Sequence, residues 1–277
     1  MHIHIGHSTV YRYEPPATGV IQLLRLTPRD HEGQHVTRWR IEVSPDARLK
    51  AHEDAFGNIT HVFNTIGRFA ELRIDIEGEV ETQDTHGVIK GAVERFPPDL
   101  FLRETPLTAP DQAICDFANE VRAARGGDAL QQAHAILEWL HNEMTFDLAM
   151  TDLLPMASEA FALKRGVCRD QCHIFLAAAR HLGIPARYVA GYFRSGEDAQ
   201  NGGSEAGHAW AEAHVPDLGW IGFDPANGVC AIDQHVRVAV GLDYLGAAPV
   251  RGAHYGGGRE DVAVRLEVTQ ASWQTQE

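Results

Sequence analysis

The chain has 277 residues, 44% of them hydrophobic and 22% charged, with 26 glycines and 13 prolines, which excludes collagen-like, coiled-coil and disordered proteins. At roughly 100 to 200 residues per domain, this length predicts one large or two modest domains. The formal net charge of −14 disfavours nucleic acids and anionic membranes, so we expect no nucleic-acid partner, no membrane partner, and a neutral or cationic ligand instead.

The N-terminal residues and the cysteines predict a cytoplasmic protein. Met1 to His7 alternates polar and apolar residues without the charged start and apolar block of a secretory signal. No stretch approaches the ~20 apolar residues that span a bilayer. In the cytoplasm the cysteines are expected to be reduced, as buried residues, ligands or nucleophiles rather than a disulfide frame. The four are Cys115, Cys168, Cys172 and Cys230.

Residues 1–95 are predicted to form a β-rich domain, with the boundary inside the region 88–105. Alternation of polar and apolar residues recurs in three runs, Ile3–Tyr13, Trp39–Val43 and Leu72–Val80. Pro15-Pro16 is expected to end the first run. Each run has one apolar and one polar face, which favours antiparallel strands in a sheet or sandwich, with Phe56-Gly57-Asn58 as a hairpin turn.

Residues 96–277 are predicted to form an α+β core with a C-terminal β segment. Helical periodicity marks three segments, Asp111–Arg125, Ala129–Met144 and Arg169–Leu182. Ser158 is expected to cap a short helix that ends at Leu163.

Three alternating runs follow the last helix and predict an antiparallel sheet beneath it. They are Ala186–Phe193, His208–Val215 and Trp220–Asp224. The segment between the first two, Arg194–Gly207, is rich in glycine, serine and acids and is predicted to be a flexible loop and a candidate lid.

Cys168 is the first candidate for chemistry because it falls at the start of the predicted helix Arg169–Leu182. The free N–H groups and the positive end of the helix dipole stabilise an anion there, which favours a reactive thiolate. The alternative is a core thiol, because Cys168 shares an apolar stripe with Cys172 and Phe175.

His208 is the second candidate. Gly207 ends the preceding loop, so the imidazole is expected at the rim of the sheet rather than in its middle. There it could take the proton of a thiol and later deliver it to a leaving amine. The chain has 16 histidines, so an inert role is the alternative for any one of them.

Asp224 is the third candidate, at the end of the next strand. Its carboxylate could accept from one ring nitrogen of His208 and leave the other free, although Asp-Pro at a strand end also caps turns. A four-residue turn over Pro216–Gly219 would set Asp224 opposite Ala211, on the wrong face for His208. The pairing therefore predicts an irregularity, such as a bulge, between residues 211 and 224.

Together these segments resemble the transglutaminase-like superfamily, whose cores present Cys, His and Asp in this order. The helix reads GVCRDQCHIFLAAARHLGIPARYVAGYF and the histidine strand reads GHAWAEAHVPDLGWIGFDPANG, both similar to the bacterial branch. Upstream, three short segments resemble the β-rich N-terminal domain that usually precedes this core. They are Tyr11-Arg12-Tyr13, Leu26-Thr27-Pro28-Arg29 and Asp54-Ala55-Phe56-Gly57-Asn58.

The resemblance implies an α+β fold with a papain- or transglutaminase-like core, in which the helix bearing the nucleophile packs on an antiparallel sheet. It implies Cys168 as nucleophile, His208 as base and then acid, and Asp224 as the orienting group, with the Cys168 backbone N–H as an oxyanion donor. The expected substrate is a peptide or other amide, and no cofactor is implied. Water or an amine acceptor would resolve the acyl-enzyme, with hydrolysis favoured because cross-linking is not the default in the bacterial branch.

Other interpretations of the same residues stay open. Trp210 and Trp220 are either walls of a substrate crevice or core residues. A zinc protein would use four ligands, Cys168, Cys172, His173 and His208, although the familiar paired spacing is absent. A non-catalytic binding or assembly module would retain the fold without activity. The oligomeric state is not predicted.

Overall fold

A computed structural model describes residues 1–45, 47–151, 153–195 and 207–270. Its strands are β1 (His2–Thr27), β2 (Gln34–Ser44), β3 (Lys50–Glu53), β4 (Ile59–Thr82), β5 (Val88–Ile89), β6 (Thr145–Phe146), β7 (Arg165–Gly166), β8 (Ala186–Phe193), β9 (His208–Val215), β10 (Gly219–Asp224), β11 (Val229–Cys230), β12 (His235–Gly241), β13 (Val250–Gly256) and β14 (Arg259–Gln270). Its α-helices are α1 (Gln112–Arg125), α2 (Ala129–Glu143), α3 (Ala157–Leu163), α4 (Cys168–His181) and α5 (Tyr244–Ala247), with single 3₁₀ turns at Pro98–Leu102 and Leu148–Met150.

The N-terminal part is an antiparallel sheet with the strand order β13-β1-β4-β2, in which β14 also pairs with β1 and β3 with β4. The alternating runs lie in β1, β2 and β4 as predicted, and the predicted turn joins β3 to β4. The prediction that Pro15-Pro16 ends the first strand is wrong, because β1 continues past them to Thr27. Its register with β4 shifts between Arg12 and Ala17, which accommodates residues that lack a backbone N–H.

The C-terminal strands belong to this first sheet, not to the second part of the chain to which the sequence assigned them. β14 pairs with β1 from Ile3 to Glu14, and β13 pairs with it from Ala17 to Leu24. They cover an edge of β1 that would otherwise present unpaired backbone groups. A linear division at residues 95 and 96 therefore does not separate the two sheets, because the chain returns to the first one at Val250.

The second sheet lies beneath α4 and has the order β11-β10-β9-β8-β12, with β5 paired to β10. The face of β9 toward α4 consists of small buried side chains, Ala209, Ala211 and Ala213. These alanines let α4 approach the sheet closely, and they share one apolar core with Cys172 and Phe175 of the helix. The predicted helix on an antiparallel sheet is confirmed.

The helix ends follow local capping rules, with one correction. Asp111 accepts a hydrogen bond from the Ile114 N–H at 3.0 Å and begins α1 where the sequence predicts it. Ser158 does not cap α3, because the helix already begins at Ala157. The Glu159 carboxylate instead accepts from the Met156 N–H at 2.8 Å.

Two amide side chains join the sheets by binding the free edge of β12. Asn58 donates to the Val240 carbonyl at 2.8 Å and accepts from the Val240 N–H at 2.8 Å. Gln34 makes the same pair of bonds with the backbone of Arg237, at 2.9 and 2.7 Å. Because β12 is the end strand of its sheet, these bonds cover its edge and fix the first part of the chain against the second.

Two predictions lie beyond what the fold tests. Residues 196–206, most of the predicted lid, are outside the described residues. Within the described ranges, no helix combines the length and apolarity needed to cross a bilayer. The lid and the cytoplasmic location therefore stay predictions.

Candidate active site

A three-residue turn brings His208 and Asp224 to the same face of the sheet. The turn comprises Pro216–Leu218, one residue fewer than the four-residue turn considered from the sequence. Phe223 then lies opposite Ala211, in the position that the longer turn would give to Asp224. Because side chains alternate along a strand, this shift of one residue moves the Asp224 carboxylate to the face of His208. The required irregularity is in the turn, and the strands pair without a bulge.

The imidazole of His208 and the carboxylate of Asp224 are in direct contact. His208 Nε2 lies 2.7 Å from Asp224 Oδ2. The Asp224 side chain is fully buried and that of His208 is 12% exposed. Since a carboxylate only accepts, Nε2 carries the proton and donates it to Asp224. Nδ1 is then the ring nitrogen that this bond does not use.

Cys168 is the first residue of α4 and is buried. Its backbone N–H belongs to the first turn, whose N–H groups have no partner inside the helix. Asp170 fixes this turn, because its Oδ2 accepts from the Val167 N–H at 3.0 Å. Gly166 permits that approach, since an added Cβ would lie 2.8 Å from the Cβ of Asp170. This capping role was not predicted, although an acid at the third helical position is a known sequence signal for a helix start.

The electrostatics of the site favour a protonated His208. Burial alone would lower the pKa of His208, but the charge and hydrogen bond of Asp224, together with a hydrogen bond that the ring donates to the Cys168 sulfur, raise it to about 10. Because Nε2 is bound to Asp224, Nδ1 is the ring nitrogen that remains for proton exchange with a thiol. A positively charged imidazole therefore lies beside Cys168 at neutral pH.

Two further donors hold Asp224, and neither was predicted from the sequence. His235 Nε2 lies 3.0 Å from Asp224 Oδ2, and Asn227 Nδ2 donates to the same oxygen at 2.6 Å. Although burial opposes it, His208 and His235 hold the pKa of Asp224 well below its usual range. Asn227 follows Asp224 by three residues in a turn and could have been found from the sequence. Nothing in the pattern pointed to His235, which lies on another strand.

A metal ion is the alternative occupant of this cluster. His208, Asp224 and His235 offer ligand atoms that lie within 4.8 Å of one another. A metal would need the lone pair of His235 Nε2. However, the Nδ1 of that ring accepts from the Ile232 N–H at 3.1 Å, which keeps the proton on Nε2. The geometry fits a hydrogen-bonded network better than a metal centre.

The structure does not assemble the zinc ligand set considered from the sequence. Cys172 is fully buried, and its Sγ donates to the Trp210 carbonyl at 3.0 Å. His173 is also buried, and its Nε2 accepts from the Tyr244 N–H at 3.1 Å. Both side chains are hydrogen-bonded to the backbone of other elements, so neither forms a metal-ligand set with Cys168.

Trp210 and Trp220 are core residues rather than walls of a crevice. They are 1% and 6% exposed, and neither lines the cavity that contains Cys168. Trp210 packs on Gly191, where an added Cβ would lie 2.6 Å from the indole ring. Trp220 instead packs beneath the Arg187 guanidinium, 3.9 Å from the ring centroid.

A cavity of about 260 Å³ opens at Cys168 and His208. Residues from both sheets line it, among them Tyr11 of β1, Tyr188 of β8 and Val264 of β14. A second hollow of about 280 Å³ lies around Gly6 on the first sheet and has mainly charged walls, but it contains neither Cys168 nor His208. The cavity at Cys168 is therefore the candidate substrate site.

Comparison with known proteins places the chain in a family. Residues 3–81 match the bacterial transglutaminase-like N-terminal region, and residues 116–225 match the transglutaminase-like superfamily. The protein ML0607 of Mycobacterium leprae is 30% identical over 280 residues, covering 97% of this chain and 98% of that protein. The chain belongs to the transglutaminase-like superfamily, as the resemblance of its motifs implied.

Two further similarities concern the fold and about half of the chain. A candidate cysteine protease of Cytophaga hutchinsonii has a solved structure with a TM-score of 0.75 and 18% identity, covering 100% of this chain and 92% of that one. A protein-glutamine gamma-glutamyltransferase of Pseudomonas aeruginosa is 31% identical over 157 residues, which are 49% of this chain and 23% of that protein. The predicted α+β, transglutaminase-like fold is confirmed.

Proposed function

We propose that this protein is a cysteine-dependent enzyme that cleaves an amide through an acyl-thioester on Cys168. The observation that carries the proposal is the connected series of Cys168, the His208 ring and Asp224, with Nε2 of the ring 2.7 Å from the carboxylate. This arrangement supplies a nucleophile, a proton carrier and a group that orients the proton carrier.

The first half of the reaction follows from these positions. The thiol proton of Cys168 passes to His208, and the sulfur attacks the amide carbonyl as a thiolate. The resulting oxyanion faces the backbone N–H at the start of α4. The C–N bond then breaks as His208 gives its proton to the leaving amine, which leaves a thioester on Cys168. His208 is charged at neutral pH and can make this transfer.

The second half decides between two activities. Water would release the acid and make the protein a peptidase or amidase, whereas an amine would form a new amide. In either case His208 takes a proton from the incoming nucleophile. We favour water, and the test below measures both products.

The decisive test is a pair of measurements on wild-type protein and Cys168→Ala. A peptide library, offered with and without a lysine-containing acceptor, is expected to yield cleaved or transferred products with wild type alone, and mass spectrometry should find the acyl adduct on Cys168. The variant should retain its fold, because the change removes a single buried sulfur atom. Turnover in Cys168→Ala would contradict the mechanism.

A thiol-directed electrophile at pH 7 gives an independent readout. Burial raises the pKa values of Cys115, Cys172 and Cys230, so these stay protonated thiols. Selective labelling of Cys168 in wild type, lost in His208→Ala, is therefore expected. Equal labelling of all four cysteines would favour the non-catalytic module.

A further inference from the structure

The cavity at Cys168 has one wall built by the first sheet. Thr9 pairs with Val264 and Tyr11 pairs with Val262 across β1 and β14, and all four residues line the cavity. Directly opposed residues on neighbouring strands project to the same face. These four side chains are called the β1/β14 wall below. The N-terminal sheet and the C-terminal strand thus form part of the candidate substrate site.

The polar groups behind this wall are already satisfied within the protein. Thr9 Oγ1 lies 3.1 Å from His7 Nε2, and His7 Nδ1 lies 3.1 Å from the Tyr192 hydroxyl. Burial lowers the pKa of His7 to about 4, so its ring is neutral at pH 7. The β1/β14 wall therefore presents methyl groups and the phenol ring of Tyr11, without a charge.

The other side of the cavity is aromatic, and the guanidinium of Arg169 there is already paired. Tyr188 and Tyr244 pack edge to face with ring centroids 6.2 Å apart. Arg169 lies over the Tyr244 ring at 5.4 Å, and its Nε donates to the buried Asp170 at 3.0 Å. Among the described residues that line the cavity there is no carboxylate. A cationic side chain would find no partner here and would be repelled by His208.

We propose that the acyl donor carries an uncharged, apolar side chain that packs against the β1/β14 wall while its carbonyl meets Cys168. This proposal rests on the proposed function and names its substrate class. The cavity of about 260 Å³ is below the roughly 300 to 1,000 Å³ typical of pockets for whole small molecules, which suits one side chain and its backbone. Apolar contact with the wall removes hydrocarbon surface from water and stabilises the bound substrate.

Two iodoacetamides test the wall without knowledge of the natural substrate. Iodoacetamide itself probes the nucleophile, and N-benzyl iodoacetamide adds one apolar group. Their rates of reaction at Cys168 are followed by mass spectrometry in wild type, Val262→Asp and Ala263→Asp. Val262 is 53% exposed, so an aspartate there is compatible with folding. Ala263 is exposed and faces away from the cavity, so Ala263→Asp puts the same charge on the same strand.

The measured quantity is the ratio of the two rates, benzyl to plain. Val262→Asp is expected to lower this ratio about tenfold, whereas Ala263→Asp changes it by less than about twofold. Val264→Asp, deeper in the wall, should act in the same direction. Equal ratios in wild type, Val262→Asp and Ala263→Asp would overturn the assignment of the wall.

The plain reagent separates this result from a failure of the proposed function. Suppose that iodoacetamide labels Cys168 no faster than the other cysteines in wild type, or that His208→Ala keeps the same selectivity. The assignment of the nucleophile is then wrong, and both proposals fall. If the selectivity for Cys168 is present but Val262→Asp does not change the ratio of the two rates, the nucleophile is right and the substrate class is wrong.

Discussion

At the scale of single residues, the site depends on one oxygen atom. Asp224 Oδ2 accepts from His208, His235 and Asn227 at 2.7, 3.0 and 2.6 Å. The sequence predicted Asp224, His208 and Cys168 because each lies at the end of an element, where a side chain can leave the core. It did not predict His235, since strand pairing alone brings β12 to the back of the carboxylate.

His235 is expected to act as a positioning residue, because its ring bridges the Ile232 N–H and Asp224. Removing the ring in His235→Ala takes away one of the three donors that hold the Asp224 carboxylate, and we expect Cys168 alkylation to slow roughly 10- to 100-fold. Gln can accept and donate at similar positions, so His235→Gln should recover most of the rate and the wild-type pH profile. A Gln variant as slow as the Ala variant, with both folded, would contradict the role.

At the scale of elements, a buried ion network joins three strands of the second sheet. Glu212 of β9 is fully buried and accepts from Arg187 of β8 at 2.6 Å and from Arg237 of β12 at 2.7 Å. Arg187 also binds Glu94 at 2.7 Å. Alternation along β9 puts Glu212 on the same face as His208, but only the strand order reveals that arginines flank it. Although burial opposes it, these arginines lower the pKa of Glu212 to about 2.

Glu212→Gln is therefore expected to destabilise the protein strongly. It leaves the buried guanidinium of Arg187 and the mostly buried one of Arg237 without their shared counter-charge, and breaking such a pair typically costs about 3–5 kcal/mol of unfolding free energy. Glu94→Gln is the matched control, because Glu94 pairs with the same Arg187 but is 37% exposed, so we expect a loss below about 1 kcal/mol. Urea denaturation measures both. Equal losses of unfolding free energy in the two variants would show that burial does not make the Glu212 carboxylate more important for stability than Glu94.

At the scale of the whole molecule, the candidate site lies where the two sheets meet. Cys168 and His208 come from the second part of the chain, while Thr9 and Val264 come from strands near the two termini. Local periodicity predicts that a segment is a strand, but not which distant strand it pairs with. This explains why the contact between His208 and Asp224 could be predicted from the sequence, whereas the pairing of the C-terminal strands with β1 could not.

The pKa values of the buried groups predict that the whole molecule is most stable near pH 6.5. Burial lowers the pKa values of His7 and His31 to about 4, from 6.5 in the unfolded chain. As the pH falls from 6.5 to 4, the unfolded chain therefore binds protons that the folded protein does not, and stability declines. Glu212 extends this decline, because its contribution is complete above pH 4.5 and is lost as the pH falls through about 2.

His208 gives the opposite slope on the alkaline side. Its pKa of about 10 in the folded protein exceeds the unfolded value of 6.5, so its stabilisation is complete below pH 6.5 and is lost as the pH rises toward 10. The free energy of unfolding, measured in urea between pH 4 and 9, should therefore pass through a maximum. His208→Ala should flatten the limb from pH 6.5 to 9 and keep the acid limb, because His7 and His31 are unchanged. An unaltered alkaline limb in that variant would mean that the Asp224–His208 pair does not hold its proton as the geometry requires.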